Sequence, residues 1–170
     1  MKKFILAAMV AFALTTTASA QQAAQPAAPK NYVGLSAAVV TTDNDSTVNS
    51  YGVRLGREFS NLLVGELAFD HTRAAGAVDS GNTLFANALV QYRVPNTVFT
   101  PYVLVGLGYG NDRWGDRALY NFGVGVRAEV SRTTDFDLRF RQVRNFEDMH
   151  NNINDQTYVN VVSAGLNFKF

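Results

Sequence analysis

Few residues in this sequence have the types and spacing that catalysis requires. The only histidines are His71, in "FDHTR", and His150, in "DMHNN". A nucleophile–base relay needs an imidazole held between a carboxylate and a hydroxyl, so that it can take the nucleophile's proton. Asp70-His71-Thr72 has the three types in order. If the segment is a strand, however, consecutive side chains point to opposite faces and His71 parts from both neighbours. His71 is then expected at a rim, with no catalytic part. The absence of cysteine removes thiolate chemistry, disulfides and lipid attachment at cysteine. Two acidic stretches hold oxygen ligands of the kind calcium takes: "TTDNDST", with Asp43, Asn44 and Asp45, and "EDMHNNIND", running from Glu147 to Asp155. Neither has EF-hand spacing, and acidic loops are ordinarily solvated. No catalytic residue, metal or cofactor is expected, and the chain is not expected to be an enzyme.

A second group of charges recurs at alternate positions. Arg54, Glu58, Glu66, Asp70, Arg93, Arg127, Glu129, Arg139, Arg141 and Lys169 are interleaved with apolar residues, as are Asn87, Gln91, Asn121 and Asn167. Period two is the strand signature. The pattern predicts eight strands, near 31–41, 50–59, 62–72, 83–94, 99–110, 118–130, 135–146 and 157–170. The opposite face is apolar, for example Tyr51, Val53 and Leu55, or Val162, Ala164, Leu166, Phe168 and Phe170. Most glycines fall on the charged face, among them Gly34, Gly52, Gly56, Gly106, Gly108, Gly123, Gly125 and Gly165. Glycine weakens an exposed strand but suits a crowded, concave one. The charged face is therefore expected inside, with Arg127 or Arg139 in salt-bridge reach of Glu66 or Glu129, because buried charges must be paired.

The connections alternate in length. Those at Ser60-Asn61, Pro95–Val98 and Ser131–Thr134 are short; those at Thr42–Asn49, Arg73–Asn82, Asn111–Arg117 and Glu147–Gln156 are long. An up-and-down antiparallel barrel, with tight turns at one rim and long loops at the other, gives this alternation, and transmembrane barrels share the asymmetry. The N-terminus supports an exported protein. Lys2 and Lys3, the apolar Phe4–Leu14 and Ala18-Ser19-Ala20 form a signal-peptide pattern over residues 1–20. Residues 21–30, "QQAAQPAAPK", read as a flexible leader, and the barrel is expected over 31–170. Without Lys2 and Lys3, the fifteen basic residues become thirteen against fourteen acids. That balance offers nothing to nucleic acid.

Aromatic residues cluster at the predicted strand ends. Tyr32, Phe59, Tyr92, Phe99, Tyr102, Phe136, Phe168 and Phe170 fall toward the short-turn rim. Tyr51, Phe69, Tyr109, Trp114, Tyr120, Phe146 and Tyr158 fall toward the long-loop rim. Two belts are expected at two membrane–water boundaries. In hydrocarbon every backbone polar group must be paired within the protein, so a spanning sheet must close on itself. The last strand, ending on Phe170, is then expected to pair with the first, with both termini at the short-turn, periplasmic rim.

The stretches "FTPYVLVGLGYG" (Phe99–Gly110), "YNFGVGVRAEV" (Tyr120–Val130) and "DFDLRFRQVR" (Asp135–Arg144) resemble the fifth to seventh strands of small outer-membrane barrels. That group includes the OmpA-type transmembrane domains, OmpX and the opacity-type adhesins. Leu166, Phe168 and Phe170 resemble the terminal signal read by the barrel-assembly machinery. The resemblance implies a Gram-negative outer-membrane location among lipid and lipopolysaccharide, and loops open to a host or phage surface ligand. OmpA continues into a peptidoglycan-binding domain with no counterpart here, so anchoring to the wall is not expected. Some barrels of this kind modify lipid A, and those like the 3-O-deacylase use a His-x-Ser pair that neither histidine here matches. The function expected is a structural and interaction barrel plugged by its own charges. The alternatives are a small pore or an OmpW-like barrel for hydrophobic solutes, and, less favoured, a lipid-modifying enzyme.

Overall fold

The computed structural model describes residues 31–42, 47–73, 80–112, 115–146 and 158–170. Eight strands follow one another: β1 (Asn31–Thr42), β2 (Thr47–Glu58), β3 (Leu63–Thr72), β4 (Gly81–Gln91), β5 (Phe99–Asp112), β6 (Gly115–Ser131), β7 (Thr134–Asn145) and β8 (Tyr158–Lys169). Each pairs antiparallel with the next, and β8 returns to β1, closing an all-β barrel. Closure extends to the last residue. The amide of Phe170 donates to the carbonyl of Asn31 at 2.9 Å, and the amide of Asn31 donates back to the carbonyl of Phe170 at 3.1 Å. Among the described residues the eight strands leave no free sheet edge for another chain to pair with.

The alternation fixes which side each residue takes. Leu35, Leu55, Leu67, Val105, Leu107, Leu138 and Phe168 stand exposed on the convex wall, while Arg54, Glu66, Asn121, Arg127 and Arg139 are buried in the lumen. Such a wall in water would expose a continuous apolar surface far beyond the patches that soluble monomers tolerate. Hydrocarbon is the solvent that matches it.

The short connections follow turn chemistry. Pro95 and Asn96 occupy the corner between β4 and β5. The amide of Thr97 donates to the carbonyl of Val94 at 3.3 Å, and Asn96 has φ of 58°. Proline followed by a residue that accepts positive φ is the requirement of a type II turn. It ends β4 at Gln91, earlier than the apolar pattern through Val94 predicts.

Strands β2, β5 and β6 are longer than expected. β2 starts at Thr47, because Val48 points inward onto Val40 and joins a buried cluster with Ala38 and Val161. The β5–β6 ladder runs out to the pair Asp112 and Gly115, so most of the long connection expected over Asn111–Arg117 is strand. Gly110 permits this. A Cβ there would meet the Leu119 side chain at 2.8 Å.

Candidate functional site

The centre of the lumen is a ring of six side chains from five strands. Glu66 on β3 accepts both ends of the Arg139 guanidinium on β7, at 2.7 and 3.0 Å. It also accepts the Tyr32 hydroxyl of β1 at 2.6 Å and Asn87 Nδ2 of β4 at 3.1 Å. Tyr32 in turn accepts Arg127 Nη2 of β6 at 2.8 Å. Arg127 Nε donates to Asp137 at 3.3 Å. Asp137 accepts the Tyr102 hydroxyl of β5, which lies 3.0 Å from both its oxygens, and Tyr102 accepts Arg139 Nε at 2.8 Å. Each tyrosine thus takes a proton contact from an arginine and passes one to a carboxylate, and the circuit closes on itself.

Further contacts tie the ring to the wall. Arg54 reaches Asp137 at 3.1 Å and Ser163 Oγ at 3.0 Å. Arg127 Nη1 donates to Gln91 at 3.3 Å. One level toward the long-loop rim, Arg141 pairs with Asp70 at 2.5 Å and lies over the Phe85 ring. Asp137 has 0% and Arg139 1% of its surface exposed. In so low a dielectric each guanidinium is tolerated only because a carboxylate and hydroxyls surround it. An eight-stranded barrel has an interior about wide enough for side chains to fill.

Glycines make the ring possible. Tyr32 sits directly across the ladder from Gly56, and Tyr102 across from Gly125. A Cβ on Gly56 would come well within contact distance of the Tyr32 ring, and one on Gly125 well within that of the Tyr102 ring. Each ring therefore lies flat over its neighbouring strand and carries its hydroxyl to the lumen axis. Both tyrosines were expected at the short-turn rim among the outer aromatics. They face inward because their positions share parity with Gly34 and with Gly106.

The remaining sites read from the sequence fall as follows. Arg54, Glu66, Asp70, Arg127, Arg139 and Arg141 are brought together in the lumen. Glu58, Arg93 and Glu129 are not part of that network. Arg93 lies beyond the end of β4, 44% exposed, and pairs with Glu58 at 2.6 Å. Glu129 is 55% exposed, next to a β-bulge that shifts the register between Glu129 and Ser131, and stands 3.9 Å from Lys169. These three line a mouth cavity of about 100 Å³ at the short-turn rim, together with Lys169 and Asp135. Of the expected pairs, Arg139–Glu66 is in contact, whereas Arg127 turns to Asp137. Asp137 and Asp135 share the parity of Arg139 and Arg141 in "DFDLRFR" but were not among the expected acids. Lys169 and Asp135 pair at 2.8 Å.

The outer aromatics Tyr51, Phe69, Tyr92, Tyr109, Phe136 and Phe168, with Leu166 and Phe170, are exposed on the convex wall. Tyr120 is half-buried there, edge-on to Phe146 with ring centres 5.2 Å apart. Trp114, His150, Asp43, Asn44, Asp45 and the Glu147–Asp155 stretch lie outside the described residues. Asp70 and His71 separate as strand geometry requires: Asp70 meets Arg141 inside, while His71 Nδ1 lies 2.9 Å from Asn82 Oδ1 outside.

A closed eight-stranded sheet with an apolar outer wall and an ion-paired lumen defines a small membrane-spanning β-barrel. The profile of the outer membrane protein beta-barrel domain family matches residues 10–170, and the chain belongs to that family, whose place is the Gram-negative outer membrane. No curated protein matches it in sequence. Its fold is similar to Neisserial surface protein A, at TM-score 0.62 and 15% identity over 86% of this chain and 100% of that one. It is also similar to the N-terminal β-barrel domain of Pseudomonas aeruginosa OprF, at TM-score 0.57 and 16% identity over 83% and 100%. A third likeness is to the attachment invasion locus protein Ail of Yersinia pestis, solved with the heparin analogue sucrose octasulfate, at TM-score 0.51 and 16% identity over 84% and 97%.

Proposed function

We propose that this outer-membrane barrel is a sealed scaffold that carries its long connections on the outer cell surface for binding, with both termini at the periplasmic rim. The observation that supports the seal most strongly is the Arg139–Glu66 pair, spanning from β7 to β3 with almost no exposure. Placing both partners on opposite walls leaves the axis to side chains. The convex aromatics would act as girdles at the two interfaces, and Leu166, Phe168 and Phe170 as the segment read during assembly. Binding by the outer connections, to a host, phage or lipopolysaccharide surface, is in keeping with the ligand-bound Ail structure. A non-enzymatic role fits the separation of His71 from Asp70.

Planar-bilayer recording tests the seal. The purified full chain is expected to give no reproducible open state above leak. A stable conductance step in the wild type would overturn it.

A second reading has one observation in its favour. The lumen has an apolar patch toward the long-loop rim, where Ala38, Val40, Val48 and Val161 cluster with Val143 and Val159 packed on them. That lining suits a path for a hydrophobic solute. Uptake of such a solute into liposomes, absent from empty vesicles, would favour it over the scaffold.

A further inference from the structure

We propose that the outward face of β2–β3–β4 at the long-loop rim is a binding site for the phosphate of an outer-leaflet phosphoglycolipid, with Arg73 and His71 as its donors. The inference rests on the orientation proposed above, which puts that rim in the outer leaflet.

On this wall Tyr51, His71 and Asn82 stand side by side in one row across the ladder. Arg73 caps the row. Its amide donates to the carbonyl of Asn49 at 3.1 Å, and its guanidinium lies over the Tyr51 ring, 5.3 Å from the centroid. The next row toward the membrane centre is Val53, Phe69 and Leu84, all apolar. Two nitrogen-rich side chains therefore sit immediately above hydrocarbon, where a lipid headgroup meets its acyl chains.

Their pairing differs from that of every buried arginine of the lumen ring. Each of those faces a carboxylate, whereas among the described residues neither Arg73 nor His71 has one. The aromatic face supports the cation without neutralising it, and leaves the planar edge of the guanidinium to donate. That edge matches two phosphate oxygens. His71 Nδ1 lies 2.9 Å from Asn82 Oδ1, a contact that holds the ring and leaves Nε2 directed away from it, toward the headgroup level. A free phosphate would gain the donors alone. A lipid also gains the apolar row beneath, so the lipid is the ligand the site favours.

Native mass spectrometry of the full chain released from phosphatidylcholine nanodiscs tests this. The discs carry phosphorylated lipid A, its dephosphorylated form, or phosphatidylglycerol. Wild type is expected to retain phosphorylated lipid A most strongly. Arg73→Gln combined with His71→Ala should lower retention by about tenfold or more, tenfold being the low end for losing even one hydrogen bond to a charged group. Dephosphorylation of the lipid should do the same. Arg57→Ala, which removes the outward arginine at the opposite rim, should change nothing. Each variant is first checked for heat-sensitive gel migration, and Arg73→Lys, which keeps a point charge, should retain an intermediate amount.

Undiminished retention in the double variant would overturn the site. So would an equal loss in Arg57→Ala, or displacement of lipid A by inorganic phosphate at equal concentration. Orientation is read separately, by impermeant maleimide on intact cells, in a chain that has no native cysteine. Ser80→Cys should react and Arg132→Cys should not. Reaction at Arg132 alone overturns the orientation and with it the outer-leaflet lipid. Reaction at Ser80 with unchanged retention overturns the phosphate site alone.

Discussion

Arg139 on β7 grips Glu66 on β3 with both ends of its guanidinium, Nη1 to Oε1 at 2.7 Å and Nη2 to Oε2 at 3.0 Å. The pair joins strands four apart in an eight-stranded circle, so it crosses the lumen rather than running along the wall. Arg141 and Asp70 cross between the same two strands one level away. Bidentate, charge-assisted geometry makes these the stiffest polar contacts available.

Breaking one partner should cost more than removing both. Arg139→Ala leaves Glu66 buried with Tyr32 and Asn87 and no cation in contact, and Glu66→Ala leaves Arg139 with Asp137, 3.6 Å away, as its one carboxylate. Each single variant is expected to lose about 3–5 kcal/mol, and the double variant markedly less than their sum. Urea unfolding in phospholipid vesicles measures this. Additive losses would show that the two charges are not coupled. Arg127→Ala should also lower the unfolding midpoint, through Asp137 and Tyr32.

Gly56→Ala and Gly125→Ala should each destabilise by about 1–3 kcal/mol, the usual cost of overpacking. In each case the methyl takes space that a tyrosine ring occupies. Measured in a Tyr102→Leu background, Gly125→Ala should cost less than it does in the wild type, because the ring is then gone. An equal cost in both backgrounds would mean that the glycine is needed for the close approach of the Leu138 carbonyl and not for the ring.

A charge on the convex wall should be expensive in proportion to its depth. Leu107→Arg, in the apolar part of β5, is expected to cost about 2–4 kcal/mol in folding into lipid vesicles, and Asn82→Arg at the rim about 0–1. Similar costs at the two positions would contradict a hydrocarbon environment around Leu107.

Heat should change migration in SDS electrophoresis. An unheated membrane fraction is expected to run as a compact barrel and to shift on boiling, because opening requires the β1–β8 ladder to separate along its length. Asp137→Asn should lower the temperature of that shift, since Arg54, Arg127 and Arg139 all lie against Asp137. An Asp137→Asn shift at the wild-type temperature would mean the ring does not stabilise the barrel.

The fold was legible because side-chain alternation is a local property. Tyr51, Val53 and Leu55 against Gly52, Arg54 and Gly56 assign both faces of β2 from sequence alone. Glycines on the charged side then tell which face is concave. The start of β2 is hidden in the sequence because Val48 faces the lumen, where the alternation otherwise puts polar or small residues. The ring was only half legible. Arg139 declares its face by parity, but its choice of Glu66 over Asp137 as bidentate partner depends on shear and on side-chain reach across the axis. Tyr32 and Tyr102 resemble rim aromatics until each is set beside the glycine on the next strand. That pairing needs the register, which no single strand contains.

Methyl NMR of the full chain in lipid nanodiscs tests the inside-out arrangement most directly. Val103, Val105 and Leu107 face outward on β5, whereas Leu104 on the same strand, Leu89 and Val64 are buried inside. Cross-peaks to lipid acyl chains are predicted for the first three and none for Leu104, Leu89 and Val64. Acyl-chain contacts at Leu104, or contacts that fail to alternate along β5, would contradict a barrel with its apolar residues toward lipid and its arginines within.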